Sequence, residues 1–269
     1  MKLSRINILP ALAALCIATP THAQETTLSG VYVGAKIGAS IASFRDRRVL
    51  QGEYLFYDDN QIPYSGAAQS WAFPDKTDTV FGGGVSLGYT LASKTGLPVR
   101  LELDYTARDA AEVSSTRDMT YSTTYGGVYY PANPAVMTQA DTVTLDTFMA
   151  NVWYDIHTGT ALTPYIGGGI GWGFVTYKNA RAMLEGVTYD SFTDKKDATN
   201  FAWSVGAGVS YALSERLALD IGYRYVDAGD MKVSASGGEP LSGTSAIASH
   251  DVMVGIRYEF GSSQRASLK

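Results

Sequence analysis

An all-β chain, closed as an eight-stranded antiparallel up-and-down transmembrane β-barrel, is the fold class that three observations predict. Eight segments alternate large apolar residues with small, polar or charged ones at a period of two, as strands with two unlike faces do. The connections between them are long and short in strict alternation. The four segments that return from the long connections end alike, at Tyr89-Thr-Leu91, Tyr154-Asp-Ile156, Tyr211-Ala-Leu213 and Tyr258-Glu-Phe260. A soluble sandwich has no reason to gather every long connection at one end. A membrane barrel does, with four long extracellular loops and three short periplasmic turns.

The chain begins as a secreted one. Lys2 and Arg5 precede an apolar run over 6–18, and Thr21-His22-Ala23 ends on a small residue, the plan of a cleaved signal peptide over 1–23. The single cysteine, Cys16, lies inside that leader, and Leu15 before it is too large for a lipoprotein signal. The remainder therefore has no disulfide and no thiolate metal site. Without Lys2 and Arg5, 19 basic residues face 26 acidic ones, a net charge of −7 that argues against nucleic acid as a partner. No later stretch approaches the roughly 18 unbroken apolar residues of a membrane helix. The barrel is expected over 24–261 and a short polar tail over 262–269.

In the first segment, 30–42, Val31, Val33, Ala35, Ile37 and Ile41 alternate with Tyr32, Gly34, Lys36, Gly38 and Ser40. The second, 80–91, sets Phe81, Val85, Leu87 and Tyr89 on one face. A turn over 92–96 leads to the cleanest alternation, 97–108, where Leu97, Val99, Leu101, Leu103 and Tyr105 oppose Arg100, Glu102, Asp104 and Thr106. The fourth lies within 142–156, with Phe148, Ala150, Val152 and Tyr154 on one face and Leu145 and Trp153 on the other. The fifth is TPYIGGGIGWGF over 163–174. In the sixth, 201–213, Phe201, Trp203, Val205, Val209 and Tyr211 oppose Ala, Ser and Gly; in the seventh, 217–225, Leu219, Ile221 and Tyr223 oppose Asp220 and Arg224. The eighth sets Val252, Val254, Ile256, Tyr258 and Phe260 against Asp251, Met253, Gly255, Arg257 and Glu259. Residues 43–78, 109–141, 177–199 and 227–249 are the long polar connections.

In a membrane the apolar faces look outward. Tyr89, Tyr154, Tyr211, Tyr258 and Phe260 are then expected to form an aromatic girdle at the periplasmic interface, with both termini periplasmic. Phe81, Phe148 and Trp203 would form the outer girdle. The motifs GVYVGAKIGAS, RLELDY, NVWYD, TPYIGGGIGWG, LALDIGYRY and VGIRYEF resemble the outer-membrane β-barrel family of opacity-type or porin-family proteins, relatives of the OmpA/OmpX-like barrels and of proteobacterial surface antigens. The resemblance covers all eight strands and not the loops. It implies outer-membrane lipid and lipopolysaccharide as surroundings and the barrel assembly machinery as a partner; no cofactor is expected. The chain departs from the family in continuing past Phe260 and in placing Met253 where a polar residue is usual.

Candidate chemistry is sparse. The clusters Gly82-Gly-Gly84 and Gly167-Gly-Gly169 do not continue into a phosphate-binding helix, and suit instead a narrow barrel that needs small inward residues. His157 and His250 lie a barrel height apart and cannot share a metal or a catalytic site, so no enzyme is expected. The inward charges Lys36, Arg100, Glu102, Asp104, Asp220, Arg224, Arg257 and Glu259 are balanced in sign, which favours a side-chain plug of paired charges over a narrow passive pore. Loop aromatics Tyr54, Phe56, Tyr57, Tyr64, Trp71, Tyr121, Tyr125, Tyr129 and Tyr130 suit a surface for a host or envelope protein, or else pack on one another in hairpins above the membrane. Envelope structure and surface interaction are the expected role, with a passive pore or a ligand or haem receptor as alternatives.

Overall fold

The computed structural model describes residues 29–184, 193–234 and 241–261; the expected signal peptide and tail lie outside the described residues. In chain order the described strands are β1 (Val31–Gln51), β2 (Tyr54–Tyr57), β3 (Pro63–Gly66), β4 (Gln69–Ala72), β5 (Lys76–Thr90), β6 (Val99–Arg108), β7 (Ala111–Tyr125), β8 (Val128–Asp155), β9 (Leu162–Leu184), β10 (Thr193–Ala212), β11 (Leu217–Ser234) and β12 (Leu241–Glu259). One helical turn, α1 (Ala92–Thr95), joins β5 to β6. Gly96 ends it at φ +72°, donating its N–H to the Ala92 carbonyl, a left-handed position that glycine takes without strain.

Strands β1, β5, β6, β8, β9, β10, β11 and β12 form a closed ring of antiparallel neighbours. Closure is made at β1, where Ala35 is opposite Val85 of β5 on one side and Ile256 of β12 on the other. Around the short-turn half of this ring the apolar faces look out. Ile37, Ile166 and Phe201 are about 60% exposed (60%, 57% and 64%), while Asp104 and Asp251 inside are fully covered. That inversion is the signature of a barrel solvated by lipid. The outward faces of 81–89, 97–105, 148–156, 166–174 and 252–258 all follow the alternation read from the sequence, including the segment in which Leu145 and Trp153 turn inward.

The long connections are built differently from polar loops. Most of their length is strand, so the ring runs on as hairpins well past the exposed apolar band. Here the polarity is the ordinary one for a water-solvated protein. Ala42, Phe44, Val49, Ala111, Val113, Met137, Val143, Leu145, Val175, Tyr177, Met231, Val233 and Ile247 face inward and pack as one apolar cluster, with Trp71 and Phe73 from the β4 region among them. Several local irregularities move the pattern by one residue, one of them in the β8–β9 ladder between Ala140 and Thr142. In β1 the register slips between Arg45 and Arg48, where Asp46 has φ +49°. In β11 it slips between Asp227 and Asp230, at Gly229 with φ +69°. Residues 109–110 bend the chain between β6 and β7. Each bulge switches which residue parity faces inward.

Beyond the hairpins of the ring, β2 and β3 form a small ladder that joins β7 at Tyr64 opposite Tyr125 and Ser65 opposite Thr124. β4 lies along the far end of β1.

Candidate functional site

The interior is stratified. Nearest the short turns, Arg100 donates through Nε to both oxygens of Asp155 at 2.9 Å and lies 4.9 Å over the Tyr165 ring. Arg257 lies 3.2 Å from Asp220, donates to Ser210 Oγ at 2.8 Å, and stands 5.3 Å over the Tyr32 ring. Glu102 accepts from the Tyr32 hydroxyl at 3.1 Å and the Trp153 indole at 3.2 Å. These large rings fit only because glycines face them. A Cβ on Gly88 would fall within the Tyr32 ring, and one on Gly208 within the Tyr165 ring. A polar cavity of about 90 Å³ remains among Arg100, Glu102, Trp153, Tyr165, Asp220 and Arg257.

Above it an ion-pair chain crosses the lumen. Asp251 on β12 accepts from Arg108 Nε at 3.1 Å and Nη2 at 2.6 Å, from Arg224 Nη2 at 3.2 Å, and from Ser40 and Ser249 at 2.8 Å each. Arg224 Nη1 continues to Asp104 at 2.8 Å, and Lys36 closes on the other Asp104 oxygen. Arg108 and Asp104 are on β6, Arg224 on β11 and Lys36 on β1, so the chain of charges ties together strands that are not ring neighbours. Buried charges of this kind are tolerated because each has partners on several sides.

The apolar cluster lies beyond, outside the lipid-facing band. It contains one further ion pair, Arg47 with Asp141 at 3.8 Å. Arg47 also donates to Ser115 Oγ at 2.6 Å and lies 5.9 Å over the Phe73 ring. Burial outweighs the nearby guanidinium and pushes the Asp141 carboxyl up to about 6.

Of the eight expected lumen charges, Lys36, Asp104 and Arg224 lie together. Arg257 pairs with Asp220 and Arg100 with Asp155, while Glu102 is held by a hydroxyl and an indole. Glu259 is buried at the end of β12. Arg108, Asp155 and Asp251 complete the network and were missed as members, although the parity of Arg100–Asp104 and of Arg257 carries on to Arg108 and to Asp251. Tyr154, Tyr211 and Tyr258 stand exposed on the outer face near the short turns, with Tyr89 and Phe260 half-buried beside them.

The loop aromatics divide. Trp71 is a correction: it is only 9% exposed, within the apolar cluster, and donates from its indole to the Thr120 carbonyl. Tyr121 is half-buried against the same cluster. The others gather at the tip, where Tyr54, Phe56 and Tyr64 stack with centroids 5.0–6.3 Å apart and Tyr125 tilts against Tyr64 at 6.0 Å. Phe56, Tyr57, Tyr129 and Tyr130 are exposed. Asp58 fixes the β2–β3 turn by accepting from the Asn60 and Ile62 N–H groups and from the Tyr125 hydroxyl.

With this geometry in hand, comparison with known proteins decides the family. Residues 9–260 match a family model described as outer membrane protein beta-barrel domain. The chain belongs to that family. Among curated relatives, it is 31% identical over 255 residues to the outer membrane protein PagN of Salmonella typhimurium, covering 92% of this chain and 98% of PagN. It is 27% identical to an uncharacterized protein of Brucella abortus, covering 88% of this chain and 87% of that one. Among solved barrels, Neisserial surface protein A aligns with 86% of this chain and 98% of its own at 19% identity, with a TM-score of 0.47. This barrel is therefore an outer-membrane protein.

Proposed function

We propose that this barrel serves surface interaction, of the adhesion type, through the β-structure that projects beyond the lipid-facing band, and that its lumen is a plug. The short turns and both termini are periplasmic in this reading, and the hairpins extracellular. The observation that carries it is the projection itself: strands such as β8, of 28 residues, run far past the apolar band into a cored structure whose tip exposes aromatic side chains. Loops with no role need no such core. A plug is supported by the ion-pair chain from Arg108 to Lys36 and by the apolar cluster stacked on it.

The pore reading draws on the polar cavity near the short turns, but the charges beyond it are paired across the lumen. For a haem receptor, His250 is placed on the outer face, bonded through Nδ1 to the Tyr223 hydroxyl, and His157 in a turn. The same separation weighs against catalysis by a histidine base. The test is attachment of cells displaying the chain to host-cell monolayers, against cells displaying a variant with residues 53–66 replaced by a two-glycine turn. Loss of attachment with unchanged surface display is expected. Equal attachment, together with steady single-channel conductance of the pure protein, would reverse the assignment.

A further inference from the structure

The tip sheet ends, among the described residues, on an edge that no further strand covers. Among the described residues β2 pairs on one side only, with β3. Tyr57 is opposite Pro63, which has no N–H, and the next pair is bonded from Asp58 N to the Ile62 carbonyl at 3.1 Å. Bonded and non-bonded pairs alternate along an antiparallel ladder. The peptide groups of Tyr54, Phe56 and Asp58 therefore turn toward β3, and those of Leu55 and Tyr57 turn off the open edge. Leu55 and Tyr57 are about 60% exposed (60% and 59%). Proteins usually blunt such an edge with lysine, proline or a bulge; the run Tyr54-Leu55-Phe56-Tyr57 has none of these.

The segments that build this tip carry charge of one sign. Residues 52–66 carry Glu53, Asp58 and Asp59 and no cation, and residues 120–135 carry no charge at all. The Ile62 N–H and the Tyr125 hydroxyl hold the Asp58 carboxyl below the usual range, so it stays ionised in mildly acid surroundings. A second copy of this chain laid antiparallel on β2 would set Glu53 near Asp58 of its mate, acid against acid. An extended segment with lysine or arginine at its ends would meet those acids, and its cations would also lie within reach of Tyr54, Phe56, Tyr64 and Tyr125, whose ring faces attract cations.

We propose that the open edge of β2 is a strand-addition site for an extended, basic-flanked polypeptide segment. The ladder from Leu55 and Tyr57 supplies the backbone bonds, and the acid and aromatic surround selects the charge. This deepens the surface-interaction reading and rests on it. It also sets the tip against sulfated polysaccharides, which the same acids repel.

The experiment uses the full folded chain in detergent micelles and fluorescent ten-residue peptides, Val and Thr alternating between lysine pairs at each end. The lysine peptide is expected to bind, with affinity falling as salt rises. The same peptide with glutamate ends, or with N-methyl groups at alternate residues to remove donors, should bind at least tenfold more weakly. Leu55→Pro should weaken binding by a similar factor, with heat-modifiable gel mobility confirming that the barrel is intact. The pair Glu53→Lys and Asp59→Lys, which leaves the backbone alone, should reverse the preference between lysine and glutamate peptides. Undiminished binding of the N-methylated peptide, or preferential binding of a heparin oligosaccharide, would overturn the proposal. Absence of peptide binding while truncation of 53–66 still abolishes cell attachment would sink strand addition and leave the surface role standing; attachment untouched by truncation would sink that role itself.

Discussion

Asp251 is the side chain on which most of the interior converges. It is fully buried and accepts from Arg108, Arg224, Ser40 and Ser249, so removing it strands the Arg108 guanidinium in the middle of the barrel and leaves Arg224 with Asp104 alone. Breaking a buried pair from one side typically costs about 3–5 kcal/mol. Asp251→Ala should accordingly lower the urea unfolding midpoint in micelles far more than Glu102→Gln, whose partners are a hydroxyl and an indole. Equal midpoints for the two variants would show that the crossing chain is not what holds the interior. Asp141 gives the residue scale a pH dependence. Its folded pKa, about 6, is above the ordinary 3.8, so the folded state binds the extra proton. Stability from this group is fully present below about 4 and is lost as pH rises through about 6. The shift corresponds to an upper bound of about 3 kcal/mol. Midpoints measured between pH 4 and pH 7 should fall with pH in the native chain, and Asp141→Asn should flatten that slope.

At the scale of elements, the strands that face lipid were legible because inside and outside differ so sharply there. Leu97 to Tyr105 against Arg100 to Asp104 leaves one register open. The projecting hairpins hid for a physical reason. Asp46, Gly229 and the bend at 109–110 each shift the pattern by one residue, and the solvent on the outer face changes from lipid to water within the same strand. Alternation continues through Val113, Val143, Val175 and Val233, but the apolar residue now points inward and its serine and threonine neighbours read as loop. Arg108 and Asp251 were within reach of the same parity rule; the Trp71 position was not, because β4 has no alternation long enough to orient it. Gly88→Val should lower the midpoint by the equivalent of about 1–3 kcal/mol as it drives into the Tyr32 ring, and adding Tyr32→Ala should recover part of the loss. Trp71→Ala should cost about 3–5 kcal/mol, whereas Tyr129→Ala, at an exposed site, should leave the midpoint within about 0.5 kcal/mol.

The whole molecule is two solvation regimes stacked on one set of strands, apolar outside and charged within below, polar outside and apolar within above. A closed ring has no free edge in the membrane, so unheated protein should migrate differently from boiled protein on a detergent gel. Identical mobility of inserted material would contradict the ring. The junction of the tip has a mechanical consequence. β8 and β9 share an extended ladder from Met137 to Asp155, loaded lengthwise, so a pull from outside meets many bonds at once. The β2–β3 hairpin shares two ladder pairs with β7, with side-chain bonds such as that from the Tyr125 hydroxyl to Asp58 beside them. A load applied at β2 therefore bears on this seam and, through residues 52–53, on the end of β1. When the seam parts, the slack on that side is only about 10 Å at roughly 3.4 Å per residue, and the pull passes to Arg48–Gln51, which are laced to β4 on one side and β12 on the other.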